Sequence, residues 1–199
     1  CDLPPAAPTL QTAAEGTGSM GYTREFIAAL EFVWGEGFLS PGGPEEVRVI
    51  LGTHDIRGKR ILDIGSGLGG IDMLLAGTYG AAEVIGIDVI PEVIDLARTL
   101  AQRRGLADRV SFQLIEPGPL PFAERSFDIV FSKDAMVHVA HKQALYAEIL
   151  RVLRPGGWLL ASDWLWTEDA ATHPLVTAWV PGNPLGFVFT TPAEARAAL

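Results

Sequence analysis

Only one cysteine, Cys1, occurs in this 199-residue sequence, so neither a disulfide framework nor a thiolate metal site is open to it. Cations are scarce as well: 15 Lys and Arg stand against 24 Asp and Glu, a net charge of −9. That balance excludes partners that need clustered positive charge, whether a nucleic acid or an anionic membrane surface. The one basic pair, Arg103-Arg104, ends an expected helix, where cations complement the helix dipole. No apolar run approaches the ~20 residues of a membrane span, and no internal repeat is present. What is there is 48% hydrophobic and 20% charged, the mix of a globular chain. Its length suits one α/β domain with a sizeable core.

Residues 1–21 are rich in Pro, Ala, Thr and Gly without periodicity and read as a flexible N-terminal segment. Phe26, Ile27, Leu30, Val33 and Trp34 then follow helical spacing. Ser40-Pro41-Gly42-Gly43 marks a turn, and Pro44 can open a second helix. From there strands alternate with helices: strands near 59–64, 83–88, 109–114, 127–131 and 158–162, helices near 68–79, 91–105 and 141–152, and a last helix from about 191. Such alternation predicts a Rossmann-like, doubly wound, mainly parallel sheet with helices on both faces. Residues 22–199 are expected to form a single domain, with a helical lid over 22–55 and the Rossmann-like core over 59–199. Ligands of such sheets bind at the carboxyl ends of the strands, where Asp63, Asp88, Glu116, Lys133, Asp134 and Asp163 fall.

The run Ile61-Leu62-Asp63-Ile64-Gly65-Ser66-Gly67-Leu68-Gly69-Gly70 joins an apolar strand to a glycine-rich turn and a helix. The next strand, Val84-Ile85-Gly86-Ile87, ends at Asp88, where a carboxylate can accept hydrogen bonds from ribose hydroxyls. The dinucleotide pattern G-x-G-x-x-G aims helix amides at a pyrophosphate. Here the spacing is G-x-G-x-G-G, and Asp63 lies two residues before the turn. A carboxylate there repels a pyrophosphate and suits a cation, which disfavours a nicotinamide-dependent oxidoreductase. S-adenosylmethionine carries a sulfonium, an ammonium and no phosphate. The bland reading of the same run is a packing turn.

This run resembles motif I of the class I S-adenosylmethionine-dependent methyltransferases. Tyr22-Thr23-Arg24-Glu25 and the stretch from Glu31 to Gly43 resemble the lid of the phosphoethanolamine N-methyltransferases. Phe127 to His138, FDIVFSKDAMVH, resembles their fourth strand and the loop after it. Arg154-Pro155-Gly156-Gly157-Trp158 is shared more widely. The resemblance implies S-adenosylmethionine as cofactor, no metal, and cofactor contacts from Tyr22, Leu39, Ser40, Asp63, Gly65, Ser66, Gly67, Asp88, Val89 and Lys133. Lys133 stands where that family commonly has Arg. Glu116 is the nearest acid to the position of an adenine-binding Asp. The resemblance also implies two further strands beyond Leu199, and it pairs Tyr22 with His138 over the acceptor amine, beside Asp134.

That pairing has a chemical rationale. Methyl transfer is an in-line displacement that needs a lone pair on the acceptor. An alkylamine is mostly protonated near neutrality, so a histidine base suits it. His54 and His141 read instead as loop residues. After the fifth strand the family's phosphate-holding tyrosines are replaced by Trp164, Trp179 and Phe187. Rings without hydroxyls suit a methylated ammonium better than a phosphate, though three aromatics near a sheet edge also serve as core. The expected activity is methylation of a small-molecule acceptor, favouring nitrogen of an unphosphorylated amine or amino acid. Carbon or oxygen methylation in a small-molecule pathway is the alternative, and a cofactor-binding sensor or scaffold is the alternative outside enzymes. A donor made in the cytosol points to a cytoplasmic location. The sequence carries no signal for oligomeric state.

Overall fold

Alternate residues of the central strands bury on opposite faces, as a sheet covered on both sides requires. In the computed structural model, which describes residues 22–182 and 186–199, that sheet has five strands: β1 Arg60–Ile64, β2 Glu83–Asp88, β3 Val110–Leu114, β4 Phe127–Lys133 and β5 Leu153–Ser162. They run parallel in the order β3-β2-β1-β4-β5. The order reverses between β1 and β4, so a crevice opens at their carboxyl ends.

Ile61, Val84, Phe112, Ile129 and Phe131 pack on one face against Met73, Ile94, Ala97 and Leu100. Leu62, Ile64, Ile85, Ile87 and Val130 pack on the other against Met136, Ile149 and Val152. The helices responsible are α3 (Gly70–Met73) and α4 (Pro91–Arg103) on the first face, and α5 (Lys142–Val152) on the second. Asp63 shares the side of β1 that carries Ile61, as the two-residue period requires. Two helices precede the sheet: α1 (Arg24–Trp34), capped by Thr23 Oγ1 accepting from the Phe26 N–H, and α2 (Gly43–Leu51). A small cluster of Ile27, Leu68, Ile90 and Val93, with Tyr22 and Leu39 against it, joins α1 and the loop after it to the sheet.

Several boundaries differ from the sequence reading. The helix after β1 starts only at Gly70, because Gly69 adopts φ +80°, and from Leu74 to Thr78 it widens into a π-type turn. β5 starts at Leu153, and Pro155-Gly156-Gly157 forms an irregularity within it: Leu153 pairs with Phe127 and Trp158 with Ile129. Two short helices, α6 (Glu168–Thr172) and α7 (Pro174–Trp179), were not expected. Each is opened by a side-chain cap, Thr167 and His173, and neither has an apolar stripe long enough to be read from periodicity. The final helix α8 (Pro192–Ala198) starts with a Thr191–Glu194 capping box. The expected flexible segment 1–21 lies outside the described residues.

Candidate active site

The turn after β1 is held on three sides. Gly65, Gly67 and Gly69 all have positive φ, which only glycine adopts freely. A Cβ at Gly65 would collide with Ala135, and one at Gly67 would press on Leu39 at 3.1 Å. Gly70 donates its N–H to the Gly37 carbonyl at 3.1 Å, a backbone approach that leaves no room for a side chain at either residue. The loop after α1 and the loop after β4 therefore both abut the turn.

Three carboxyl groups lie beneath it. Asp88 accepts from the Gly67 N–H at 3.0 Å through one oxygen, and from Val89 and Ile90 at 2.7 and 3.1 Å through the other. Burial still pushes its pKa up, against those three donors. Asp63 and Asp72 are both buried, and neither has a hydrogen-bond donor on any carboxyl oxygen among the described residues. Desolvation raises Asp63 to about 7 and holds Asp72 well above the ordinary carboxylate range. Asp72 was not anticipated. The signal for it was an acid at the second position after Gly70, inside the apolar run Ile71-Asp72-Met73-Leu74. Ser66 is buried too, with no partner for its hydroxyl among the described residues.

Lys133, expected as a cofactor contact, has its ammonium turned to the lid. Its Nζ donates to Ser40 Oγ at 2.8 Å, the Pro41 carbonyl at 2.7 Å and Asp134 Oδ2 at 2.6 Å, and lies 3.1 Å from Glu46. Its side chain has no exposed surface. Asp134, expected beside the acceptor, is thereby tied to Lys133 and sits at φ +56°. Ser40 belongs to the same knot, while Leu39 packs over the turn.

The loop after β4 carries His138 on a short 3₁₀ turn, Met136–His138. Two side chains fix this loop from below. Asp163 Oδ1 accepts from the Val137 N–H at 3.0 Å, and Lys142 Nζ donates to the Met136 and Val139 carbonyls at 2.7 and 3.2 Å. Burial lowers the Lys142 pKa, which Asp163 partly offsets; burial raises that of Asp163. The His138 ring lies 5.1 Å from Phe187. Phe187 continues into Phe189 and Trp179, and Phe189 stacks on Trp166 at 5.4 Å. Of the three aromatics expected to form this wall, Trp179 and Phe187 belong to it. The ring contacts among the described residues do not include Trp164, which is half exposed, and Trp166 stands in its place. The Trp166 backbone N–H donates to the Thr190 carbonyl at 3.2 Å, which brings that ring to Phe189.

A family model for a methyltransferase domain matches residues 56–180. The chain belongs to this methyltransferase family. It is 33% identical over 144 residues to phosphoethanolamine N-methyltransferase 1 of Triticum aestivum, covering 72% of this chain and 28% of that protein. It is 28% identical over 198 residues to the chloroplastic tocopherol O-methyltransferase of Arabidopsis thaliana, covering 87% of this chain and 57% of the relative. Among solved structures, Haemonchus contortus phosphoethanolamine N-methyltransferase 2 in complex with S-adenosyl-L-methionine superposes with a TM-score of 0.82 at 27% identity. That match covers 92% of this chain and 44% of the other. The chain thus spans between about a quarter and somewhat over half of these relatives.

Ahead of the matched residues, Tyr22 packs on Phe26 with centroids 5.8 Å apart, and burial together with the nearby Asp88 charge raises its pKa. It therefore sits on the Asp88 side of the turn, whereas His138 sits on the Phe187 side. Glu116 is exposed in the loop after β3. No three His, Cys, Asp or Glu side chains among the described residues are placed to hold a metal. No described helix is long and apolar enough to cross a membrane.

Proposed function

We propose that this domain transfers a methyl group from S-adenosylmethionine to the nitrogen of a small acceptor, with His138 as general base and Tyr22 orienting the acceptor. The observation that carries the reading is the turn itself. A glycine cradle at the switch point of the sheet lies over a buried carboxyl, Asp63, that no donor among the described residues satisfies. A ligand with an ammonium group fits there, and the cradle positions would be filled by any Cβ. Gly65, Ser66 and Gly67 would line the cofactor, Asp88 and Val89 its ribose and adenine, Leu39 its upper side and Glu116 the far edge of its adenine.

When bound, the cofactor supplies an electrophilic methyl group on a sulfonium. His138 would take the proton from the acceptor nitrogen, freeing its lone pair for attack. Tyr22 would fix the direction of approach, and most of the acceleration would come from holding donor and acceptor in line. Trp179 and Phe187, extended by Trp166 and Phe189, would face the acceptor as an aromatic wall, with Asp134 and Trp164 at its margin. Lys133 acts on the cofactor indirectly, by holding the lid over the turn. The need for a cytosolic donor supports a cytoplasmic site of action.

A second reading is oxygen methylation of a larger apolar acceptor. It is favoured by the tocopherol O-methyltransferase, which matches a larger share of this chain than the wheat N-methyltransferase does. One assay separates the two: S-adenosylhomocysteine release and product mass with glycine, sarcosine, dimethylglycine, ethanolamine, phosphoethanolamine and a phenol bearing a prenyl tail. Turnover of the unphosphorylated amines alone supports the aromatic-wall reading. Turnover of the phenol alone moves the acceptor to oxygen, and cofactor binding without turnover of any acceptor favours a sensor.

A further inference from the structure

We propose that Asp72 is a positioning residue for the cofactor: it shares one proton with Asp63 beneath the glycine turn, so that binding the cofactor's ammonium group expels that proton to solvent. The inference rests on the cofactor reading above and extends it to a residue outside the motif.

Four observations carry it. Asp63 is 1% exposed and Asp72 fully buried, so in the ligand-free fold both carboxyls are withdrawn from bulk solvent. All four of their oxygens lack a donor from the described residues. The two groups are neighbours, since Gly86, the β2 residue in register with Asp63, lies directly beside Asp72 Oδ1; one hydrogen bond between them is open to a singly protonated pair and closed to two ionised carboxylates. Finally, the facing residue on β2 is Gly86, where a Cβ would lie 2.7 Å from Asp72 Oδ1. The same Cβ would meet the Phe112 ring at 2.7 Å, so the glycine makes room for Asp72 and Phe112 together.

The charged groups around the pair do not relieve it. From β2 comes Asp88, another acid, which raises both pKa values. From the end of β4 come Lys133 and Asp134, which are bonded to each other. On α2, which packs against α3, Glu46 answers Lys133, while Glu45 and Arg48 pair with each other near the surface. Tyr22 lies beyond Asp88. A single proton held between Asp63 and Asp72 therefore keeps the cradle at one negative charge fewer until a cation arrives. Once an ammonium compensates the charge of Asp63, the pair no longer needs the shared proton to lower its charge. The bond changes are minimal: an ammonium–carboxylate contact forms at Asp63, the Asp63–Asp72 hydrogen bond breaks, and the shared proton passes to water.

The test uses S-adenosylhomocysteine, which keeps the ammonium and loses the sulfonium charge. Its affinity is measured calorimetrically from pH 6 to 8 in two buffers of different ionisation heat. With Asp63 raised to about 7, the affinity at pH 6 should be about tenfold weaker than at pH 8, with close to one proton released at the lower pH. Asp72→Asn places an amide donor on Asp63, holds it ionised and should flatten the pH dependence to about twofold or less. The His138→Asn variant should keep the wild-type slope, which separates the pair from histidine titration. A wild-type affinity flat over this range, or a full slope surviving in Asp72→Asn, overturns the proposal. Infrared spectra of the ligand-free protein give a readout that needs no cofactor. A protonated-carboxyl band that Asp72→Asn removes supports the shared proton, and its absence from the wild type refutes it. If that band is present but S-adenosylhomocysteine fails to bind at any pH, the cofactor reading and its proton linkage fall together while the proton pair stands.

Discussion

The sharpest prediction concerns Lys133, a cation whose side chain is wholly withdrawn from solvent at the carboxyl end of the sheet. Lys133→Met keeps most of the aliphatic stem and removes the charge. It strands Asp134, whose side chain is 9% exposed, and deprives Ser40 Oγ and the Pro41 carbonyl of their donor. Glu46 also loses a partner, but its side chain is one-third exposed and water compensates it. Removing one member of a buried charge pair costs about 3–5 kcal/mol, because the other charge is left uncompensated. Asp134 keeps a little solvent contact, so the lower end, about 3 kcal/mol, applies here. For a domain of this size that corresponds to a fall in Tm of about 6–12 °C.

The measurement is thermal unfolding of Lys133→Met, Asp134→Asn and the double variant. Asparagine tolerates the positive φ of position 134 and carries no charge. Neutralising Asp134 in the Lys133→Met background should therefore recover at least half of the loss, a coupling that the double-mutant cycle reads directly. A Tm for Lys133→Met within about 2 °C of wild type would refute the reasoning, since it would mean that no charge had been stranded.

Gly69→Ala should lower the urea midpoint by the equivalent of about 2–4 kcal/mol, because the residue is at φ +80° and its Cβ would enter the Phe112 ring. Gly105→Ala, at φ +64° with nothing near the added atom, should cost only about 1 kcal/mol by the same measurement. Burial raises the Asp72 pKa in the folded state, so its stabilising contribution is complete below the unfolded value and is lost as pH rises through the folded one. Asp72→Asn lacks that loss, and its stability relative to wild type should improve steadily between about pH 5 and pH 8 in denaturant titrations. A difference that is constant with pH would show that Asp72 titrates normally. On the proposed mechanism, His138→Asn should reduce kcat about a hundredfold or more while S-adenosylhomocysteine affinity stays nearly unchanged. Equal turnover by the variant would remove His138 from proton transfer.

The parts of the fold that could be read from sequence are those where one pattern had one structural solution. β1 and β2 are apolar on both faces and end at an acid or a glycine turn, and their boundaries fell within a residue of the expected ones. β5 began five residues earlier than expected because Pro155-Gly156-Gly157 reads as a turn, yet Leu153 before it still pairs with β4. The geometry of the candidate site was legible where backbone chemistry dictates it, in the positive φ of Gly65 and Gly67 and the Asp88 carboxylate that accepts from the turn. It was less so where direction matters. Position 133 could be identified as a cation at a strand end, but only the approach of Ser40, Pro41 and Glu46 decides which way its ammonium points. Trp164 and Trp166 differ by two residues in an irregular segment, and the hydrogen bond from Trp166 to Thr190 selects which ring joins Phe189. Asp72 escaped because a buried acid on a helix looks, in sequence, like an ordinary first-turn acid near a helix N-terminus.

The distribution of charge bears on what the proposed acceptor is. Asp63, Asp72 and Asp88 lie under the turn, and Asp163 lies under the loop that carries His138. The two lysines behind β4 are already committed, Lys133 to two carboxylates and Lys142 to two carbonyls. A phosphate group brings between one and two negative charges and three acceptor oxygens, so it needs cations or hydroxyl donors directed at it. The wall beyond His138 presents instead the rings of Phe187, Phe189 and Trp179. An acidic floor and an aromatic side suit a cationic donor and an amine that becomes more cationic with each methyl added. Phosphoethanolamine, the substrate in the names of several relatives, would meet repulsion below, and the unpartnered donors at the wall among the described residues, the Trp166 indole and the Thr190 hydroxyl, carry no charge. On this reasoning an unphosphorylated amine should be preferred over its phosphate ester, and the preference should shrink as salt screens the acids. A preference for the ester that grows at low salt would mean that a cation outside this set reaches the acceptor.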